Sequence, residues 1–379
     1  MGFVLSHSGT LEGSSTVDFM NGPRHRPLTA LRAVQGVLCI LIQILTASML
    51  LVYIGFWTNI VLRLFSIRYS RVATSILFGS WLALWPFLFE KINKTKVIFS
   101  GDSVPPKERV LLISNHRTEV DWMYIWDLAL RKGSIGHVKY VLKNSLMKIP
   151  LFGWAFHAME FIPVERKWET DERVMRKILS TYKDPRESLW LVVFPEGTDY
   201  TEQKCLRCQE YASEHGLPIL KNVLLPKSKG FYACVEELRD NLDAVYDITI
   251  AYKHRYPTFL DNAFGVDPSE VHIHVRRLSI SGVPVSEDEV ASWLMGTFSL
   301  KDQLLSDFHS EGCFPGEVIE GDLSLEKCLT NFIIVIILTG LCTYLTFFSS
   351  IWFKVYVFSV CAYFTSATYL KFQPSPLIS

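Results

Sequence analysis

Leu111-Leu112-Ile113-Ser114-Asn115-His116-Arg117-Thr118-Glu119-Val120-Asp121-Trp122 runs an unbroken apolar tract into an imidazole, with a carboxylate five residues further on. Positions five apart on one regular α-helix lie about 140° apart around its axis, so the two side chains would diverge. They meet if His116 occupies the turn leaving a strand and Asp121 lies in the helix that follows. On that reading the stretch is a strand, a turn and a helix in succession, the local order of an α/β unit. One imidazole nitrogen is then held by a carboxylate while the other faces a substrate, as in an oriented general base. The plainer alternative is a capped turn, with Asn115 or Thr118 as the cap and His116 incidental.

Over 379 residues the formal net charge is zero, which removes any bulk electrostatic argument for a nucleic-acid partner. Hydrophobic residues make up 49% of the chain, and the surplus sits at its two ends. Eight scattered cysteines suggest no disulfide framework and fit a reducing compartment. Cys205-x-x-Cys208 lacks a second pair at zinc-ribbon spacing. His272 and His274, on one face of an expected strand, lack a third ligand nearby, so no metal site is expected at either place.

Residues 1–27 are polar and read as a disordered tail. Residues 28–95 read as N-terminal membrane helices. The uncharged run Ala33–Trp57, about 25 residues and so about 37 Å of helix, is long enough to span a bilayer. Thr74–Phe89 is marginal for a span, and a re-entrant or interfacial helix fits it equally. Arg63, Arg68 and Arg71 between the two, with further cations on both flanks, leave orientation undecided and fit two helices dipping into one leaflet.

Residues 96–325 have the character of a soluble domain. Strands are expected at Arg109–Ser114, Val138–Leu142, Phe161–Val164, Leu189–Phe194, Val223–Leu225, Val245–Tyr252 and Val271–Leu278. Amphipathic helices are expected between them, among them Asp171–Tyr182 and Glu287–Phe308, which predicts a mixed sheet flanked by helices. Residues 326–371 hold two apolar segments, Cys328–Phe348 and Ile351–Leu370, parted by Ser349-Ser350. They read as a C-terminal transmembrane hairpin, followed by a tail over 372–379.

Further stretches bring polar residues to strand ends, where ligands bind in open α/β sheets. Phe161-Ile162-Pro163-Val164-Glu165-Arg166 offers a guanidinium, and Leu225-Pro226-Lys227 an ammonium, for a phosphate. Glu196 in Phe194-Pro195-Glu196-Gly197-Thr198-Asp199 could accept a ligand hydroxyl or brace the turn. Singly, Gly197 and Pro226 also read as turn formers, and Arg166 and Lys227 as solvated charges.

Together, Asn115-His116-x4-Asp121, the Pro150–Arg166 stretch, Phe194-Pro195-Glu196-Gly197-Thr198 and Leu225-Pro226-Lys227 stand in the order of the four blocks of the glycerolipid acyltransferases. The chain resembles the lysophosphatidic acid acyltransferases, in a eukaryotic branch similar to lysocardiolipin-acyltransferase-like members. The resemblance covers about residues 95–325. It implies the glycerolipid acyltransferase fold and transfer of a fatty acyl group from acyl-CoA, as co-substrate, to the free hydroxyl of a lysophospholipid. On that resemblance His116 is the base and Asp121 orients it, while Arg117, Arg166, Glu196, Gly197, Thr198, Pro226 and Lys227 bind substrate. The chemistry requires neither cofactor nor metal. A multi-pass protein of the endoplasmic reticulum membrane is implied, with no nucleic-acid partner.

One position departs from the pattern. Asp199 stands where many members carry arginine after Glu-Gly-Thr, so Arg117, Arg166 or Lys227 must carry an acceptor phosphate. Otherwise the acceptor is a phosphodiester of the lysophosphatidylinositol or lysocardiolipin type. Rival readings are a hydrolase using Asp121 or Glu196, and a non-catalytic lipid-binding membrane protein.

Overall fold

The computed structural model describes residues 26–266, 270–372, 374 and 377. The tail expected over 1–27 lies outside these but for its last two residues, and most of 373–379 lies outside them too.

Seven strands form one sheet: β1 Lys96–Gly101, β2 Val110–Ser114, β3 Val138–Lys143, β4 Ile162–Val164, β5 Trp190–Val193, β6 Ala244–Tyr252 and β7 Glu270–Ser279. Their order is β1-β7-β6-β2-β5-β3-β4. The strands from β6 to β4 are mutually parallel, β7 is antiparallel to β6, and β1 is parallel to β7. Five C-terminal ends therefore open on one edge of the sheet. The helices are α1 Ala30–Phe65, α2 Ile67–Ile92, α3 Asp121–Arg131, α4 Phe152–Ala158, α5 Trp168–Leu179, α6 Glu202–His215, α7 Ser228–Leu238, α8 Phe259–Phe264, α9 Glu287–Glu311, α10 Leu325–Phe348 and α11 Ile351–Leu370. This is the expected mixed α/β sheet flanked by helices, with apolar helices at both ends of the chain.

Strand β2 is buried throughout, which is why it reads as a continuous apolar run and not as an alternation. Val110 and Leu112 pack with Trp190, Val192, Tyr246 and Ile248 in one core. Leu111 and Ile113 pack with Leu191, Val193 and Val245 in the other, under α5, α7 and α9. Helix α9 is tied down by Lys301, fully buried, whose ammonium bonds the equally buried Asp247 of β6. Arg276 of β7 meets the same carboxylate.

The first core is closed by α3 and by the α1–α2 hairpin. Leu77, Phe78, Trp81, Leu82, Trp85, Leu88 and Phe89 of α2 all enter it. Both ends of the hairpin are fixed to the domain. Arg32 donates to Gly265 O at 3.3 Å at one end, while Arg63 and Arg71 reach Glu160 at 2.9 and 2.8 Å at the other. Among the described residues three helices are long and apolar enough to cross a membrane: α1, α2 and α10. Helix α11, diluted by Tyr, Ser and Thr, is not one of them.

Four expectations need correction. Val223–Leu225 forms no strand, because distant carboxylates hold Leu224 and the two residues before the triplet as a loop. Leu224 N–H bonds Glu196, and Lys221 and Asn222 N–H bond Asp302. Lys96–Gly101, missed because a lone apolar triplet sits between polar flanks, is the edge strand beside β7. The first apolar helix runs past Trp57 to Phe65, and Ser66 ends it by capping α2 through Tyr69 N–H. Helix α2 outgrows Thr74–Phe89, running Ile67–Ile92, and is long and apolar enough to cross a membrane. Protein buries 72% of its most apolar stretch, against 28% for α1.

Candidate active site

The imidazole and the carboxylate meet as the spacing predicts. His116 lies in the turn after β2, Asp121 opens α3, and His116 Nδ1 stands 3.0 Å from Asp121 Oδ2. Asp121 is fully buried and its other bonds are also made. Thr118 N–H donates to Oδ2 at 2.8 Å and the Tyr252 hydroxyl to Oδ1 at 2.5 Å. A carboxylate accepting this many bonds at a helix N-terminus is held in one orientation. It fixes the tautomer with Nδ1 protonated, leaving Nε2 as the free base.

Neither Asn115 nor Thr118 caps α3. Asn115 instead extends the sheet: its Nδ2 donates to Ile250 O at 3.0 Å and its Oδ1 accepts from Ile250 N–H at 2.8 Å. This side-chain ladder pins the start of the turn to β6. Glu196, in the turn after β5, pins the next residue by accepting from His116 N–H at 2.8 Å, while its other oxygen takes Leu224 N–H at 3.0 Å. One carboxyl thus joins the loops after β2 and β5 to the 221–227 loop. Burial pushes Glu196 up to about 8, against the pull of its two backbone donors and of His116. The His116 ring lies over Phe194, centroids 4.5 Å apart. Burial would depress the imidazole, but the bond to Asp121, its charge, and the charges of Glu196 and Asp199 raise it above 6.5.

Gly197 turns the chain at φ +70°, and the Lys227 side chain lies 3.4 Å from where a Cβ would stand. Lys227 N–H donates to Pro195 O at 2.8 Å, so Pro226 and Lys227 are zipped onto the Glu196 turn. Lys204 of α6 donates to Thr198 Oγ1 at 2.9 Å and to Asp199 at 2.8 and 3.0 Å. The acid that departs from the family pattern is therefore paired, and a cation returns to that corner from one turn into α6.

Arg117 is clamped between two rings, with Tyr200 at 4.0 Å and Tyr256 at 4.1 Å from its guanidinium carbon. Among the described residues no carboxylate pairs with it. Its faces are held and its charge is unspent, which suits an anion arriving at the edge of the plane. Arg166 is the outlier. It follows β4 with φ +64°, exposed, three strands across from β2 and so about 14 Å away. The structure thus joins His116, Asp121, Glu196, Gly197, Thr198, Pro226 and Lys227, sets Arg117 beside them, and leaves Arg166 on the rim.

The sequence did not reveal Tyr252, Lys204, Tyr200 or Tyr256. Tyr252 ends an expected strand, and nothing local ties it to Asp121, 131 residues away. His272 and His274 are engaged by protein groups, Glu270 at 2.7 Å and Ser100 at 3.2 Å.

The acyltransferase profile matches residues 96–253, the span from β1 to Lys253, and the profile for the acyltransferase C-terminus matches 263–336. A probable 1-acyl-sn-glycerol-3-phosphate acyltransferase 5 of Arabidopsis thaliana is 61% identical over 94% of this chain and 95% of its own length. The chain belongs to the acyltransferase family. Two further relatives of this acyltransferase carry different names. Lysocardiolipin acyltransferase 1 of Gallus gallus is 39% identical over 64% of this chain and 66% of its own length. The 1-acyl-sn-glycerol-3-phosphate acyltransferase 2 of Brassica oleracea is 38% identical over 56% and 54%. The apolar helices at its two ends make this acyltransferase a membrane-associated protein.

Proposed function

We propose that the chain transfers a fatty acyl group from acyl-CoA to the sn-2 hydroxyl of 1-acyl-sn-glycerol 3-phosphate, giving phosphatidic acid in phospholipid synthesis. The carrying observation is the His116–Asp121 pair. Its Nδ1 side is closed by the carboxylate, and among the described residues no Ser, Thr or Cys side chain bonds the ring. A base without an enzyme nucleophile acts on a substrate hydroxyl. Nε2 takes the hydroxyl proton, the oxygen bonds the thioester carbonyl carbon, and the carbon–sulfur bond breaks. The coenzyme A thiolate leaves and the imidazolium can return the proton to it. Base catalysis of this kind contributes about 10²–10⁴-fold, so positioning of the two substrates supplies much of the rest. Arg117, with Lys227 beside the Gly197 turn, receives the acceptor phosphate, and Arg166 meets groups further from the reacting hydroxyl.

A second acceptor class is supported by the lysocardiolipin acyltransferase relative, namely a lysophospholipid phosphodiester. The pairing of Asp199 with Lys204 favours the monoester, because the repulsion expected from the acid is offset. We place the activity in the endoplasmic reticulum membrane, with the chain crossing more than once.

The test is acyl transfer by the full chain in mixed micelles, with labelled acyl-CoA and 1-acyl-glycerol 3-phosphate, lysocardiolipin and lysophosphatidylinositol in competition. Preference for the monoester is expected. Preference for a diester would move the acceptor and leave the chemistry. Release of the label as free fatty acid would make the protein a hydrolase. Full activity in His116→Ala would end the catalytic reading.

A further inference from the structure

At the edge of the sheet opposite His116, where β2, β3 and β5 begin, a cavity of about 300 Å³ lies beneath the α1–α2 turn. Six cationic side chains line it: Arg63, Arg68, Arg71, Arg109, Lys139 and Arg186. Among the described residues two carboxylates, Glu160 and Glu187, line it with them. Both carboxylates are spent. Glu160 receives Arg63 and Arg71, with Lys139 at 3.8 Å, and Glu187 receives Arg71 at 2.8 Å. Arg109 turns to the backbone carbonyls of Asn241, Glu187 and Tyr182. Burial would raise the Glu160 carboxyl, yet Lys139, Arg71 and Arg63 around it hold it down at about 2. At the mouth, Arg68 is exposed and has no hydrogen bond or ion pair among the described residues. Arg186, with its side chain 66% exposed, pairs with Asp184.

Charge alone would describe an ion network that ties the hairpin to the domain. The surroundings of the mouth add a second feature. Phe65, Tyr69, Val72 and Ile76 stand exposed along the α1–α2 turn and the start of α2, and Val72 and Ile76 line the same cavity. A soluble phosphate ester would satisfy the arginines and leave that apolar strip in water. A lipid satisfies both, with its phosphate among the cations and its acyl chains along the strip. We propose that this cavity binds the phosphate headgroup of an anionic phospholipid of the surrounding bilayer, separately from the acceptor at the His116 edge. The lipid would clamp the hairpin turn to the domain from the membrane side.

Native mass spectrometry of the solubilised full chain, titrated with phosphatidylglycerol or phosphatidylcholine, tests the site. Neither lipid carries the free hydroxyl of a lysophospholipid acceptor on its glycerol backbone, so occupancy here is read independently of acyl transfer. The wild type should retain phosphatidylglycerol in preference. Arg68→Ala and Arg186→Ala should each weaken that retention by about fivefold, and lysine at both positions should restore it. Acyl transfer in neutral micelles should be unchanged in these variants, which also reports an intact fold. Equal retention of the two lipids by the wild type, or undiminished retention in the double alanine variant, overturns the site. Displacement of phosphatidylglycerol by glycerol 3-phosphate at matched concentration overturns the lipid in favour of a soluble phosphate.

Discussion

Asp121→Asn separates the charge of the carboxylate from its geometry. An asparagine oxygen in the place of Oδ2 can keep both the His116 Nδ1–H and the Thr118 N–H bonds. The amide nitrogen then faces the Tyr252 hydroxyl, which can reverse its role and accept. The fold and the imidazole tautomer should therefore survive, and only the charge opposite the forming imidazolium is lost. With charge centres about 4 Å apart and an effective dielectric constant near 20, that charge is worth about 4 kcal/mol, which caps the loss at about 10³-fold in kcat. The pH profile should move as well. The base must be deprotonated, so activity rises with pH through the His116 pKa, which lies above 6.5 largely because of Asp121. Asparagine should carry the acid limb to lower pH while the plateau falls. The assay is initial-rate acyl transfer from pH 5 to 9, with thermal melts to confirm folding. A plateau within tenfold of wild type, or an acid limb that does not shift, would refute the assignment of Asp121 as the partner of the base.

Arg117→Ala should raise the KM for the lysolipid by roughly 10–100-fold with a smaller change in kcat, as expected when a charge-assisted bond to a phosphate is lost. Arg117→Lys should not rescue it, because an ammonium cannot fill the planar gap between Tyr200 and Tyr256. Glu196→Ala orphans two buried N–H groups and should cost about 2–6 kcal/mol in denaturant unfolding. Because the folded Glu196 value near 8 lies above the ordinary 4.5, its contribution to stability declines as pH rises between those values, and Glu196→Gln should flatten that slope. Lys301→Met leaves Asp247 Oδ1 without its donor while Arg276 keeps Oδ2 paired, and should destabilise by about 1–3 kcal/mol in the same measurement. Deleting residues 26–95 should yield aggregated protein in a solubility assay. Trp81, Trp85, Phe78, Leu82, Leu88 and Phe89 alone are worth about 9–18 kcal/mol on burial, as much as a whole domain's stability.

What the chain declared in advance were its local features. The α/β class was legible in β2 because a strand buried on both faces is apolar throughout. The meeting of His116 and Asp121 was legible because strand, turn and helix follow one another within twelve residues. The groups that hold that pair in place come from far along the chain. Tyr252 reaches Asp121 from the end of β6, Glu196 reaches His116 N–H from the turn after β5, and Tyr200 and Tyr256 close on Arg117 from two loops. Each contact is made by the topology, and no spacing announces it. Val223–Leu225 misled for a related reason: an apolar triplet looks like a strand until one distant acid, Glu196, takes the Leu224 N–H and another, Asp302, holds the two residues before it. Helix α2 was legible as an apolar segment but its packing was not, because apolar length is the same signal whether the neighbour is lipid or a β-sheet.

That ambiguity has a consequence for how the protein is made. Helix α2 is complete at Ile92, yet the sheet face it covers needs β5, which begins at Trp190, and β6, which begins at Ala244. At about 5–20 residues per second, the ribosome needs roughly 8–30 s to deliver the second of these after α2 is finished. Through that interval Trp81, Trp85 and Phe89 have no sheet to lie on. The bilayer is the solvent that can hold them, since α2 is apolar enough to cross it. Translation in a membrane-free system should therefore leave that face exposed until the sheet arrives, and lower the yield of folded protein.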